Sequence, residues 1–211
     1  MNMQPVVHVV DDDDSFRESA LLLLRTCGFD VIGYRSAREF LDSPPEVRSG
    51  CILLDIRMPD LTGIQLQRLL NEMGSILPIV FLSGHGDVPT SVEAIKAGAE
   101  DFLSKPAPAD KLIEAVNRAL VRYDARHEHQ SRQNELRALE ATLTPRERQV
   151  FLLVIKGKLN KQIAYELGTT ERTIKAHRHQ IMKKLECNSI SELVLFGKHL
   201  GAIGAGTSEK K

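Results

Sequence analysis

Short apolar segments separated by amphipathic stretches form the repeating pattern of the first half of the chain. Runs of Val, Ile, Leu and Phe too short to be helices predict buried strands, and the amphipathic stretches between them predict crossover helices. The predicted strands fall at residues 6–10, 30–34, 51–54, 79–82 and 102–103. The pattern therefore predicts an α/β domain built on a five-stranded, parallel, doubly wound sheet.

Polar residues follow four of these strands near their carboxyl ends. Asp11 and Asp12 follow the first strand, Asp55 the third and Ser83 the fourth, and Lys105 comes shortly after the fifth. A doubly wound sheet binds its ligand outside the carboxyl ends of its strands, beside the point where the strand order reverses. We therefore expect these side chains to converge there. Asp14 is expected only to cap the next helix.

Three clustered carboxylates repel one another unless a cation lies among them. Oxygen ligands without a nearby His or Cys favour Mg²⁺, with Mn²⁺ as the alternative. Asp55 stands alone after its strand and is the predicted nucleophile, whereas the adjacent pair suits metal binding, with Asp12 nearer the ion and Asp11 holding its waters. Lys105 and Ser83 would then bind the oxygens of an acyl phosphate.

The second half of the chain is helical. Residues 124–135 are almost wholly polar but contain no Gly or Pro, which predicts one long linker helix, with a flexible tether as the alternative. We predict three parts: a first domain at 1–122, a helical linker at 123–142 and an all-α four-helix domain at 143–211. Thr144, Pro145 and Glu147 signal the first helix of the last domain.

The middle of the last domain has the pattern of a helix-turn-helix. Asn160 is expected to cap a short helix, Gly168 to turn the chain and Thr170 to cap a longer helix that runs to Leu185. Ser189 is expected to cap a fourth helix.

The outer face of the longer helix is basic and suits the major groove of DNA. Lys175 and His179 could reach base edges, and Ala176 could touch a thymine methyl group. Lys161 of the shorter helix, together with Thr170, Arg172 and Lys183, would lie nearer the phosphates. The predicted DNA contacts are Lys161, Thr170, Arg172, Lys175, Ala176, Arg178, His179 and Lys183, with Lys184 also expected to point outward. A structural role is favoured for His177.

Charge separates the two halves although the whole chain is formally neutral. Residues 1–122 contain 18 acidic and 12 basic residues, and residues 144–211 contain 6 and 13. One half therefore favours a cation and the other a polyanion. The three cysteines, at 27, 51 and 187, lack paired spacing and indicate reduced thiols in a cytoplasm. No apolar run approaches the ~20 residues needed to span a bilayer, so we expect no membrane association.

Four segments of residues 5–122 resemble the response-regulator receiver domain, a flavodoxin-like fold: 9–12, 54–63, 82–87 and Lys105-Pro106. The resemblance implies that a sensor histidine kinase phosphorylates Asp55, and that Mg²⁺ is held by Asp11, Asp12, Asp55 and the backbone carbonyl of Arg57. It also implies a cis peptide before Pro106. Ser83 and Phe102 occupy the positions of the hydroxyl and the aromatic ring that couple phosphate to a change of shape.

Residues 143–200 resemble the LuxR-type DNA-binding domain through segments 160–164, 167–168, 173–178 and 184–185, and the domain order is similar to that of FixJ-type response regulators. This resemblance implies a phosphorylation-dependent transcription regulator rather than an enzyme, with promoter DNA and RNA polymerase as partners. It also implies a homodimer in the phosphorylated state. The last helix would then leave an apolar patch for a partner subunit, formed by residues such as Leu193, Val194 and Phe196.

Three other functions fit parts of the sequence. A phosphohydrolase with an aspartyl phosphate would need an acid two residues beyond the nucleophile, where Arg57 stands. A DNA binder with a vestigial receiver would lack Mg²⁺ binding, which the complete acidic set argues against. RNA binding is disfavoured because the basic helix lacks aromatic residues to stack on unpaired bases.

Overall fold

The computed structural model describes residues 5–44, 49–84 and 88–202, except for the side chains of residues 88–91. The chain divides into two compact units, Met1–His127 and Glu128–Lys211.

The first unit contains a parallel sheet of five strands in the order β2-β1-β3-β4-β5. The strands are β1 (Val6–Val10), β2 (Asp30–Tyr34), β3 (Gly50–Asp55), β4 (Ile79–Ser83) and β5 (Asp101–Ser104). The helices that follow them are α1 (Asp14–Thr26), α2 (Ala37–Asp42), α3 (Gly63–Glu72), α4 (Val88–Lys96) and α5 (Ala109–Ala141). The structure thus has the predicted doubly wound α/β fold.

Two apolar clusters cover the two faces of the sheet. All six residues of β3 are buried, with alternate side chains in the two clusters, which is why this strand is a continuous apolar run in the sequence. The strand order reverses between β1 and β3, and their register pairs Val10 with Leu54. Asp11 and Asp55 each come next in the chain, so this register alone places the two carboxylates side by side.

The start of α1 differs from the prediction by one residue. The N-cap is Asp13, whose side chain accepts hydrogen bonds from the backbone of Ser15 and Phe16, and not Asp14. Asp14 is the first helical residue, and its carboxylate pairs with Arg17. A cap must have a non-helical backbone, which Asp13 has and the helical Asp14 has not.

The second unit is helical, and α5 is a single helix through Ala141, as the absence of Gly and Pro predicted. It is followed by α6 (Pro145–Ile155), α7 (Asn160–Glu166), α8 (Glu171–Lys184) and α9 (Ile190–His199), packed around one apolar cluster. Thr144 and Glu147 form the predicted capping box at the start of α6.

Two expectations for α7 and α9 are wrong. Asn160 is not a cap, since α7 starts at Asn160 after Leu159 and the Asn160 side chain accepts a hydrogen bond from Arg178 instead. Leu193 and Phe196 do not form an apolar surface, because both are buried in the core of the unit, against which α9 packs. The exposed apolar side chains of α9 are those of Ile190 and Leu195.

None of the helices within the described ranges has the length and apolar character needed to cross a membrane. The three cysteines are free thiols, with Cys51 and Cys187 buried and Cys27 exposed.

Candidate functional site

The carboxyl edge of the sheet brings together most of the predicted acidic and basic groups. Asp55 ends β3, Ser83 ends β4, and Lys105 directly follows β5, where its backbone N–H donates to the Ser83 carbonyl at 2.7 Å. The Lys105–Pro106 peptide bond is cis, as the resemblance implied.

Lys105 bridges two buried carboxylates. Its Nζ lies 2.5 Å from Asp11 Oδ2 and 2.5 Å from Asp55 Oδ1. The other oxygen of each acid is held by backbone, because Asp11 Oδ1 accepts from the Asp13 N–H at 3.0 Å and Asp55 Oδ2 from the Arg57 N–H at 2.7 Å. All four carboxylate oxygens are therefore oriented.

The loop after Asp55 packs too closely for a side chain at residue 63. A Cβ on Gly63 would lie 2.2 Å from the Asp55 carbonyl oxygen, well inside van der Waals contact. Glycine thus lets α3 begin directly against the end of β3. This close approach holds the Asp55 backbone in place.

One ammonium group serves two carboxylates, which leaves the pocket with a net negative charge. Burial raises the pKa of Asp11, and the hydrogen bond and charge of Lys105 offset this only in part. Burial alone would lower the pKa of Lys105, but hydrogen bonds and charge from Asp11 and Asp55 outweigh it and raise that pKa. Lys105 is therefore charged, and a further cation would relieve the acids.

The remaining predicted residues lie around this pair. The predicted cluster of three carboxylates is wrong, because only Asp11 and Asp55 meet at Lys105 and the Asp12 side chain is exposed. Among the described residues, no group of three or more His, Cys, Asp or Glu is close enough to hold a metal. Ser83 is buried, and Phe102 is half-buried and packs against the core beside α4, opposite Phe81 in the β4–β5 register. The end of the 82–87 segment, residues 85–87, lies outside the described residues.

Two residues of α1 near the pocket escaped the sequence analysis. The Lys105 ammonium lies 4.4 Å from the ring centroid of Phe16, a cation–π contact. Arg17 is buried and donates to the Asp11 carbonyl at 2.8 Å. A signal existed, since Arg17 is spaced with Ala20, Leu21 and Leu24 on the buried stripe of α1.

The outer face of α8 has the predicted basic character. Seven of the eight predicted DNA contacts are exposed: Lys161, Thr170, Arg172, Lys175, Ala176, His179 and Lys183. Arg178 is half-buried, and its Nη1 donates to Asn160 Oδ1 at 2.6 Å, which ties α8 to α7. Thr170 caps α8 by accepting from the Thr173 N–H. His177 is half-buried.

Lys184 does not point outward as expected. Its Nζ lies 2.6 Å from Glu147 Oε2 and 3.1 Å from the Thr142 carbonyl oxygen. The reason is helical spacing, since Lys184 follows the buried Ile181 by three residues and so lies beside the buried stripe of α8. The hydrogen bond from Lys184 lowers the pKa of the buried Glu147 carboxyl despite burial.

Comparisons with known proteins match both halves of the chain. Residues 7–117 match the response regulator receiver domain, and residues 141–196 match the luxR family of bacterial regulatory proteins. The response regulator protein TmoT of Ectopseudomonas mendocina is 42% identical over 92% of this chain and 88% of its own length. The transcriptional regulatory protein FixJ of Rhizobium meliloti is 42% identical over 89% of this chain and 92% of its own.

A solved structure of similar length also matches. The response regulator StyR superposes with a TM-score of 0.82 and 44% sequence identity, covering 93% of this chain and 99% of that protein.

The contact between Lys184 and Glu147 predicts a pH-dependent loss of stability in Lys184→Met. The pKa of Glu147 is lower in the folded state than its ordinary value of 4.5. The contact therefore stabilises the second unit fully when the pH is above 4.5, and this stabilisation is lost as the pH falls through the lowered pKa of the folded state. Lys184→Met should therefore be less stable than the wild type at neutral pH, and the difference should shrink in acid. Urea unfolding from pH 3 to 7 measures both.

Lys183→Met is the matched control, because Lys183 is the adjacent residue and is exposed. It should leave the free energy of unfolding nearly unchanged at every pH. An equal and pH-independent effect of the two substitutions would contradict the assignment of the Glu147 partner.

Proposed function

The chain belongs to the response regulators that join a receiver domain to a LuxR-type DNA-binding domain, and on this premise we propose that phosphorylation of Asp55 controls its binding to promoter DNA. Members of this family are transcription regulators and not enzymes. The observation that carries the proposal is the pair of buried carboxylates, Asp11 and Asp55, held by Lys105 at the sheet edge.

The donor of the phosphoryl group would be a phosphohistidine of a sensor kinase. An oxygen of Asp55 attacks phosphorus, the P–N bond breaks, and the imidazole nitrogen keeps the bonding electrons and takes a proton. Lys105 supports this role because its ammonium already lies 2.5 Å from an Asp55 oxygen, beside the place where the transferred charge accumulates.

The pocket fits Mg²⁺, because its acids present oxygen atoms and carry more negative charge than Lys105 neutralises. Asp12, Asp55 and the Arg57 carbonyl would bind the ion, and Asp11 would hold its waters. When bound, the ion neutralises charge on the acids and on the incoming phosphoryl oxygens.

Phosphate would be coupled to shape through Ser83 and Phe102. Ser83 ends the strand beside Asp55 and could donate its hydroxyl hydrogen to a phosphoryl oxygen. Phe102 pairs with Phe81 in the sheet, two residues before the level of Ser83, and is half-buried, and its ring would turn inward in the active state. Phosphorylation would act as a population shift, stabilising the active arrangement more than the resting one.

The active state would bind DNA as a homodimer in the cytoplasm and act on RNA polymerase. Exposed Lys175, Ala176 and His179 suit base edges in the major groove. Lys161, Thr170, Arg172 and Lys183 suit the phosphates. Arg178 donates to Asn160, and its main role would be to hold α8 against α7 rather than to contact DNA.

Replacing the phosphoacceptor should abolish labelling. Asp55→Asn removes the nucleophilic oxygen while leaving a group of the same size, so acetyl phosphate with Mg²⁺ should add no phosphoryl mass in intact-protein mass spectrometry. Asp60→Asn is the matched control, since Asp60 is exposed and asparagine tolerates its φ of 65°. It should be labelled like the wild type. Labelling of Asp55→Asn would place the nucleophile elsewhere.

Substitutions in α8 should separate base contacts from phosphate contacts. The binding free energy is measured with duplexes selected from genomic DNA. Lys175→Ala should lose about 1–3 kcal/mol of binding free energy and relax the sequence preference at one base pair. Arg172→Ala should weaken binding to all sequences equally and reduce the slope of log affinity against log salt concentration by about 1. Lys156→Ala is the control, because Lys156 is an exposed basic residue at the end of α6. It should change neither the sequence preference nor the salt dependence of binding. Identical effects of all three would refute the proposed docking of α8.

A further inference from the structure

Arg17 is a buried cation beside the acidic loop at residues 11–14. Among the described residues it is the only arginine or lysine that is almost fully buried. Burying a guanidinium is costly unless its donors are satisfied, so its partners indicate what it stabilises.

Both ends of the guanidinium hold the acidic loop. Nη1 donates to the Asp11 carbonyl oxygen at 2.8 Å, and Nη2 pairs with the Asp14 carboxylate. The N–H of Asp11 is held from the other side, because it donates to the Tyr34 carbonyl at 3.0 Å. The backbone at Asp11 is therefore fixed at both its N–H and its carbonyl.

Gly33 of β2 leaves space for the Leu21 side chain and lies beside the stem of Arg17. A Cβ at Gly33 would lie 2.7 Å from Leu21 Cδ1 and 3.4 Å from Arg17 Cδ. Arg17 is thus built into the packing of α1 against β2 and is not a surface residue that happens to fold inward.

The other acids of the loop are committed. Asp11 binds Lys105, Asp13 caps α1, and Asp14 pairs with Arg17. Within the described part of the chain, only the exposed Asp12 carboxylate of this loop has no hydrogen bond or ion pair. The Asp11 carbonyl and the Asp12 N–H belong to one rigid peptide plane, which Arg17 holds. The next peptide is held as well, because the Asp13 N–H donates to Asp11 Oδ1 at 3.0 Å. With both planes held, the direction in which the Asp12 side chain leaves the backbone is set.

We infer that Arg17 is a positioning residue for Mg²⁺, which holds the backbone that carries Asp12 by donating to the Asp11 carbonyl. The inference rests on the proposed function, because it concerns the ion of the same pocket. Residues that orient metal ligands through hydrogen bonds, without touching the metal, typically contribute about 10- to 100-fold to metal affinity.

The sign of the effect tests this inference. Arg17→Met removes a positive charge near the pocket, so electrostatics alone would strengthen Mg²⁺ binding. Loss of positioning should instead raise the Kd for Mg²⁺ by about 10-fold or more. Isothermal titration with Mg²⁺ alone measures the Kd without phosphorylation.

Arg35→Met is the matched control. Arg35 lies 4.0 Å from the same Asp14 carboxylate but is 77% exposed, against 5% for Arg17. Arg35→Met removes the same charge but keeps the hydrogen bond from Arg17 to the Asp11 carbonyl. Its Kd for Mg²⁺ should therefore stay equal to that of the wild type or fall. Arg17→Lys keeps the charge but cannot hold both partners at once, and should give an intermediate Kd.

Thermal unfolding in EDTA separates positioning from loss of fold. If Arg17→Met does not fold, the Kd of folded Arg17→Lys for Mg²⁺ tests the inference in its place. A value equal to that of the wild type then overturns the inference. A Kd for folded Arg17→Met at or below that of the wild type also overturns it and leaves the proposed function standing. Absence of Mg²⁺ binding by the wild type would instead refute the metal site in the proposed function.

Discussion

The sharing of the Lys105 ammonium by Asp11 and Asp55 is the interaction on which the receiver half depends. Two buried carboxylates cannot lie side by side without a cation, and the register of β1 and β3 forces them together. Lys105 makes the arrangement stable, but one positive charge for two negative ones leaves the pocket electrostatically unsaturated. The same contact thus holds the resting structure together and, in the function that we propose, leaves the pocket ready for Mg²⁺ and a phosphoryl group.

The surrounding packing serves the same end. Gly63 brings α3 against the Asp55 backbone, and Gly33 lets Leu21 of α1 pack closely against β2 beside the stem of Arg17. The second unit also pairs a buried carboxylate with a lysine. The Glu147 carboxylate at the start of α6 accepts a hydrogen bond from the Lys184 ammonium at the end of α8. That contact removes Lys184 from the basic face of α8 and holds α8, which carries the exposed basic residues, against the start of α6.

The sequence was sufficient to predict the sheet, the helix-turn-helix and the meeting of Asp11, Asp55 and Lys105 at the sheet edge, because strand ends and caps are local signals. It did not predict that the Asp12 side chain is exposed and apart from the other two acids. It failed where long-range packing decides. Asn160 has the chemistry of a cap but is taken by Arg178, and Lys184 looks like a surface residue until its partner Glu147, far away in the sequence, is known. Arg17 was missed because a basic residue on an apolar stripe is normally taken as a break in the stripe.

Control of DNA binding by phosphorylation is tested most directly by the affinity of the full chain for DNA. The Kd for a duplex selected from genomic DNA is measured with Mg²⁺, before and after treatment with acetyl phosphate. The account predicts a tighter Kd after treatment, by about 5- to 150-fold for a typical coupling between two sites. An unchanged Kd in a sample whose phosphorylation is complete would contradict it.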